Sequence, residues 1–121
     1  MLTNKDYCDY DTCIALKELG IGWENVPEKW AKRYFFIRIM LYDAQKWLRE
    51  EKKIIIEATF SLMYKGQLRF GWRVLYNLTQ HKGAYYTFDS VKSKEDYDSY
   101  EQALLAGIKK AVKILKDGIG E

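Results

Sequence analysis

Residues 53–78 read KIIIEATFSLMYKGQLRFGWRVLYNL, and the spacing of apolar side chains in that stretch decides the fold. Every even position from Ile54 to Tyr76 other than Gly66 is apolar, while most odd positions are polar or small. A period of two, broken at Lys65, Gly66 and Gln67, is the pattern of two half-buried strands joined as a hairpin.

Parity also sets the register. Both apolar sets must lie on one face, so the numbers of opposed residues must add to an even total. A two-residue turn gives an odd total and sets one strand's apolar side chains against the other's polar ones. A three-residue loop Tyr64-Lys65-Gly66, with Gly66 left-handed, gives an even total. Ile56 then opposes Val74, Ala58 opposes Trp72 and Phe60 opposes Phe70. On the other face Glu57 meets Arg73 and Ile55 meets Leu75, pairs worth roughly 0.2–1 kcal/mol each. The competing loop, Lys65 to Gln67, sets Glu57 against Leu75 and is the poorer choice.

Outward from the hairpin, Thr79 to Gly83 reads as a polar turn, Ala84 to Phe88 as a third strand and Asp89 to Asp98 as a charged loop. Ser99 and Gln102 have capping-box spacing, with the Gln102 side chain expected to return to the Ser99 backbone. They open a helix over Tyr100 to Lys116, whose apolar stripe is Leu104, Leu105, Ile108, Ala111, Val112 and Leu115. Lys109, Lys113 and Lys116 line its wet side, and Gly118 ends it.

Before the hairpin, Leu41 to Glu51 is amphipathic and helical, and Arg33 to Ile39 reads as a strand. Ile21 to Lys32 is a connecting loop that holds Trp23, Trp30 and Pro27, the sole proline. Asp9 caps a short helix that runs to Gly20. Cys8 and Cys13 flank its start, a placement expected to point them apart, as reduced structural thiols.

The order of elements argues a two-layer α+β domain, with helices on one face of an antiparallel sheet of three to four strands. The even-numbered hairpin face meets the helices. The odd-numbered face, with Thr59, Ser61, Met63, Arg69, Gly71 and Arg73, stays partly exposed.

A chain of 121 residues, 48% hydrophobic and 31% charged, has the size and composition of one folded domain. It holds no apolar run long enough to span a bilayer, and its first residues lack a signal peptide's apolar core. A cytoplasmic location is the expectation. The net charge is +3; residues 1–60 carry ten basic and ten acidic side chains, residues 61–121 ten and seven. That excess is too small to mark a nucleic-acid footprint by itself.

Three segments carry a family resemblance: Asp9-Tyr10-Asp11-Thr12-Cys13 running to Leu16-Lys17-Glu18-Leu19-Gly20, then Leu41 to Glu50, then Tyr97 to Leu104 and on to Ile108. In order and spacing they resemble a family of small proteins of unknown function found in Bacteroides-type gut bacteria and in their phages and prophages. The resemblance covers about a third of the chain, in its helices. It implies an origin in a phage or on mobile DNA, and no catalytic residue comes with it. The family's Ala-Pro-Thr lead into the second helix is replaced by Ile39 and Met40, which implies a helix start with no side-chain cap.

Chemistry is thinly represented. His81 is the only histidine, and no phosphate-binding glycine loop, metal-ligand spacing or nucleophile motif is present. No enzyme activity, cofactor or metal is expected. From Leu41 onward the order of elements matches double-stranded RNA-binding domains, yet their basic helix start is replaced here by Asp96, Asp98 and Glu101. A nucleic-acid-binding alternative would instead use Arg69 and Arg73 on the open sheet face, with Lys65 near the loop, for phosphates, and Trp23 or Trp30 for base stacking. The favoured expectation is a non-catalytic interaction or regulatory module that uses the sheet's odd face, with Ile55, Met63 and Leu75 beside Arg69 and Arg73, or the sheet's edges, to contact a protein partner or a second copy.

Overall fold

A computed structural model describes residues 6–21, 39–62, 66–81, 83 and 85–118. Apart from Ile21 and Ile39, the Trp-bearing loop expected over Ile21 to Lys32 and the strand expected over Arg33 to Ile39 lie outside the described residues, as do Met63, Tyr64 and Lys65.

The described residues form three helices and three strands, in the order α1 (Tyr10–Glu18), α2 (Leu41–Glu51), β1 (Ile55–Leu62), β2 (Leu68–His81), β3 (Tyr85–Lys92) and α3 (Tyr100–Lys116). The strands form an antiparallel sheet in the order β1-β2-β3, so the fold is α+β. The register of β1 on β2 is the one the apolar parity dictates: Ile55 opposes Leu75, Ile56 Val74, Glu57 Arg73, Ala58 Trp72 and Phe60 Phe70. Gly66, at φ +76°, supplies the left-handed residue that this register requires.

Capping chemistry starts two of the helices. Asp9 accepts from the Thr12 amide at 2.9 Å, and Ser99 Oγ accepts from the Gln102 amide at 3.1 Å. The Gln102 side chain returns to the Asp98 amide at 3.2 Å, one residue earlier than expected. α2 starts after Met40, which offers no side-chain cap.

The core lies between the even face of the hairpin and the helices. Ile54, Ile56 and Val74 pack with Leu41, Ala44 and Leu48 of α2, with Leu104, Ile108, Ala111 and Val112 of α3, and with Cys13 and Leu16 of α1. α3 rests on the sheet at Gly107, where an added Cβ would sit 2.8 Å from Ile56 Cγ2 and 3.1 Å from Trp72 Cβ. The missing side chain lets the helix backbone approach the strands. Lys109 is exposed with Lys113 on the wet side of α3, and its ammonium pairs with Asp9 at 2.6 Å and ties α3 to α1.

Both strands of the second hairpin are longer than their sequence implies. β2 continues through Thr79, Gln80 and His81, and β3 through Asp89 to Lys92. A bulge between Tyr76 and Thr79, with Asn77 at φ +53°, absorbs one extra residue and lets the ladder resume. Asn77 Nδ2 donates to Asp89 at 2.8 Å, and Val91 faces Val74 beside the core. A polar sequence is therefore drawn into the sheet by pairing and by one anchoring valine.

Cys8 and Cys13 do not point apart. Cys8 precedes α1 on extended backbone that runs beside Ile39, to whose carbonyl its amide donates at 2.7 Å. That path brings it back over the first turn of the helix, so the Cys13 thiol lies 3.6 Å from the Cys8 carbonyl oxygen and also accepts from the Ile39 amide at 3.4 Å. Both thiols are buried. The hydrogen bond with Cys13, then burial, pushes the Cys8 thiol far above its usual pKa.

Candidate interaction surface of the sheet

The face turned away from the helices is less open than its polar sequence suggests. After β3 the chain stays beside β2: the Ser93 amide donates to the Trp72 carbonyl at 2.9 Å, and Phe70 and Tyr97 exchange two backbone bonds of 2.9 Å. Between these points it folds over the odd face. A Cβ on Gly71 would meet the Lys94 carbonyl oxygen at 2.9 Å and Thr59 Oγ1 at 3.0 Å, and Thr59 Oγ1 donates to Glu95 at 3.4 Å. Residues 93–98 thus cover the odd face near its middle.

Both arginines on this face are engaged within the chain, Arg69 by the cover and Arg73 by a neighbouring strand. The Arg69 guanidinium donates to the Asp98 carboxylate and to the Asp96 carbonyl. Arg73 Nη2 lies 2.9 and 3.0 Å from the two carboxylate oxygens of Glu57, its cross-strand neighbour. A guanidinium held by a carboxylate of its own chain must give up that pairing before it can grip a phosphate. The other nominated residues, Met63, Lys65, Trp23 and Trp30, lie outside the described residues, so the structure brings only Arg69 and Arg73 to one face.

What remains open on that face lies at the other end of the hairpin. Past the bulge the strand exchanges parity, so Leu78 and Gln80 join Ile55, Leu75, Tyr86, Phe88 and Lys53 around a shallow, mainly apolar depression of about 600 Å³. Lys53, at φ +57°, turns its ammonium back to the Glu50 carbonyl at 2.9 Å and closes the C-terminus of α2.

The helix side carries the surface that the sequence reading assigned to the core. α3 begins beside Phe70, whose ring meets that of Tyr100 edge-on at 6.4 Å, and Tyr42 of α2 lies 6.4 Å from Tyr100 on the other side. Beyond this first turn of α3 the even face continues, and there Phe60, Leu62 and Leu68 are 67%, 74% and 48% exposed. All three share one face, with Leu62 directly opposite Leu68 and Phe60 opposite Phe70. The parity of the sequence identified this face but not how far along it the helices reach. The available signal was length: the strands extend well past the helix start fixed by Ser99.

Among the described residues, outward backbone groups of Ala58, Phe60 and Leu62 at the same end of β1 also lack a strand partner. Phe70 and Trp72 direct their backbone hydrogen bonds away from β1, so their partners Phe60 and Ala58 stand in non-hydrogen-bonded pairs and turn their own N–H and C=O outward. By the same alternation Ile56 and Leu62 face outward too. Of these groups the Ile56 carbonyl is taken by Gln45 Nε2 of α2 at 2.7 Å. Among the described residues no strand pairs with the outer edge of β1.

Among the described residues there is no cluster of three metal-ligating side chains and no helix long and apolar enough to cross a membrane. At the junction of α1 and α3 a hollow of about 210 Å³ is lined by Asp11, Thr12, Ala15, Lys109 and Val112. Its charged rim is closed by the Asp9–Lys109 pair. Burial alone would raise the Asp9 pKa, but hydrogen bonds from Lys109 and Thr12 and the adjacent ammonium outweigh it and hold the carboxyl below 3.8. No protein-family model, curated protein or solved structure matches the chain.

Proposed function

We propose that the protein is a non-catalytic interaction or regulatory module, cytoplasmic and of phage or mobile-element origin, that engages another protein chain through its sheet. The observation that carries this reading is the coplanar exposed trio Phe60, Leu62 and Leu68 at one end of the hairpin. Large apolar side chains gathered beyond the reach of the helices mark a contact surface more often than they serve the fold. The origin rests on the family resemblance alone, and the location on the sequence's lack of a long apolar run and of a signal peptide's apolar core. Nucleic-acid binding through Arg69 and Arg73 is the weaker alternative, because both guanidinium groups are already engaged by carboxylates.

Affinity capture from a Bacteroides lysate, followed by mass spectrometry, tests the reading. The wild-type chain is expected to retain a defined protein that Leu62→Lys loses and Arg69→Ala keeps. Equal capture by wild type and Leu62→Lys, together with a salt-sensitive shift of DNA or RNA abolished by Arg69→Ala and Arg73→Ala, would reverse the ranking.

A further inference from the structure

We infer that a second copy of this chain is a partner of the same surface, added antiparallel along β1 with Phe60 opposite Phe60 about a two-fold axis. This rests on the interaction reading above and gives it an occupant.

Two separate features of β1 point the same way. Its outward N–H and C=O groups at Ala58, Phe60 and Leu62 form a ladder that another strand completes. Its residues Ala58-Thr59-Phe60-Ser61-Leu62 contain no charge, proline or glycine, the usual protections of an exposed edge. The opposite edge strand, β3, carries Asp89 and Lys92.

The register follows from what is already occupied. Outward-facing residues must pair with outward-facing residues, so opposed numbers again add to an even total. A total of 118 would draw in Ile56, whose carbonyl is held by Gln45 at the end of the strand covered by α2. A total of 122 leaves Ala58 unpaired. A total of 120 pairs Ala58 with Leu62 of the second copy and Phe60 with Phe60, giving about six backbone hydrogen bonds without disturbing α2.

The same register makes the exposed trio continuous across the axis, so each copy covers the other's patch with an identical patch. Such an isologous contact needs no second specialised surface. No charged side chain lies within the five paired residues, so the approach brings no like charges together there. The three side chains of both copies supply on the order of 800 Å², at the low end of specific interfaces. The dimer is therefore weak and concentration-dependent.

Sedimentation velocity over a dilution series, joined to amide hydrogen exchange on the same samples, tests this. Wild type is expected to shift from monomer to dimer with rising concentration while the amides of Ala58, Phe60 and Leu62 gain protection. Phe60→Lys is expected to weaken association at least about tenfold by setting two ammonium groups across the axis. Leu62→Lys provides a second variant at a more exposed position, and circular dichroism reports whether each variant folds. A wild-type chain that stays monomeric throughout, or a dimer whose formation leaves those three amides unprotected, overturns the proposal. A monomer that still captures a lysate protein in a Leu62-dependent way sinks the dimer alone; loss of both sinks the interaction reading as well.

Discussion

The two ends of the first hairpin have the same alternating pattern and opposite fates. At one end Ile54, Ile56 and Val74 lie beneath α2 and α3 and are buried; at the other Phe60, Leu62 and Leu68 continue the same face into solvent. The other face is reversed, because residues 93–98 cover it at its middle and leave a depression beyond Leu75. Alternation therefore marks which side of a strand is apolar. Burial depends on where a second layer begins and ends.

Substitutions matched in strand and face test that contrast. Ile56→Ala is expected to cost about 2–5 kcal/mol, since it empties space between β1 and α3 that the surroundings refill only in part. Urea denaturation measures it, and a cost below about 1 kcal/mol would mean that α3 is not seated as described. Gly107→Ala comes next, at about 1–3 kcal/mol, although alanine favours helix: its methyl group would press on Ile56 and Trp72. Stabilisation by this change would show that the helix can lift from the sheet at no cost.

Asp9→Asn addresses how α1 and α3 are tied together at the covered end, because asparagine keeps the helix cap and removes only the charge. The Asp9 carboxyl is held below its ordinary value of 3.8 in the folded chain. Its contribution is thus fully present above that value and is lost as pH falls through the lower folded one. The stability difference between wild type and variant should be present at neutral pH and vanish in acid. A difference that did not change with pH would assign it to something other than the pairing with Lys109. Leu62→Ala has the smallest expected effect, within about 0.5 kcal/mol in the dilute monomer. A loss as large as that of Ile56→Ala would erase the distinction between the two ends.

Much of this architecture was legible in residue order because it rests on local rules. The register of Ile56 on Val74, the left-handed Gly66 and the Asp9 and Ser99 caps each depend on residues close in sequence or on strand parity. The lengths of β2 and β3 were not legible: Thr79 to His81 and Asp89 to Lys92 are polar, and they join the sheet through the bulge at Asn77 and the inward Val91. The partners of Arg69 and Arg73 divide the same way. Glu57 opposite Arg73 follows from register, whereas Asp98 reaches Arg69 only because residues 93–98 fold back over Gly71.

The sequence by itself determined which residues pair within the hairpin and which of its faces is apolar, since a period of two and a turn of fixed length leave one register that satisfies both strands. Tertiary structure alone decided that Cys8 lies against Cys13, that a loop takes up Arg69, and that the first turn of α3 lands beside Phe70 and leaves Phe60, Leu62 and Leu68 bare. The physical reason is that pattern encodes direction about a strand axis. Coverage along that axis is set by where a helix lands, here by the contact of Gly107 with Ile56 and Trp72.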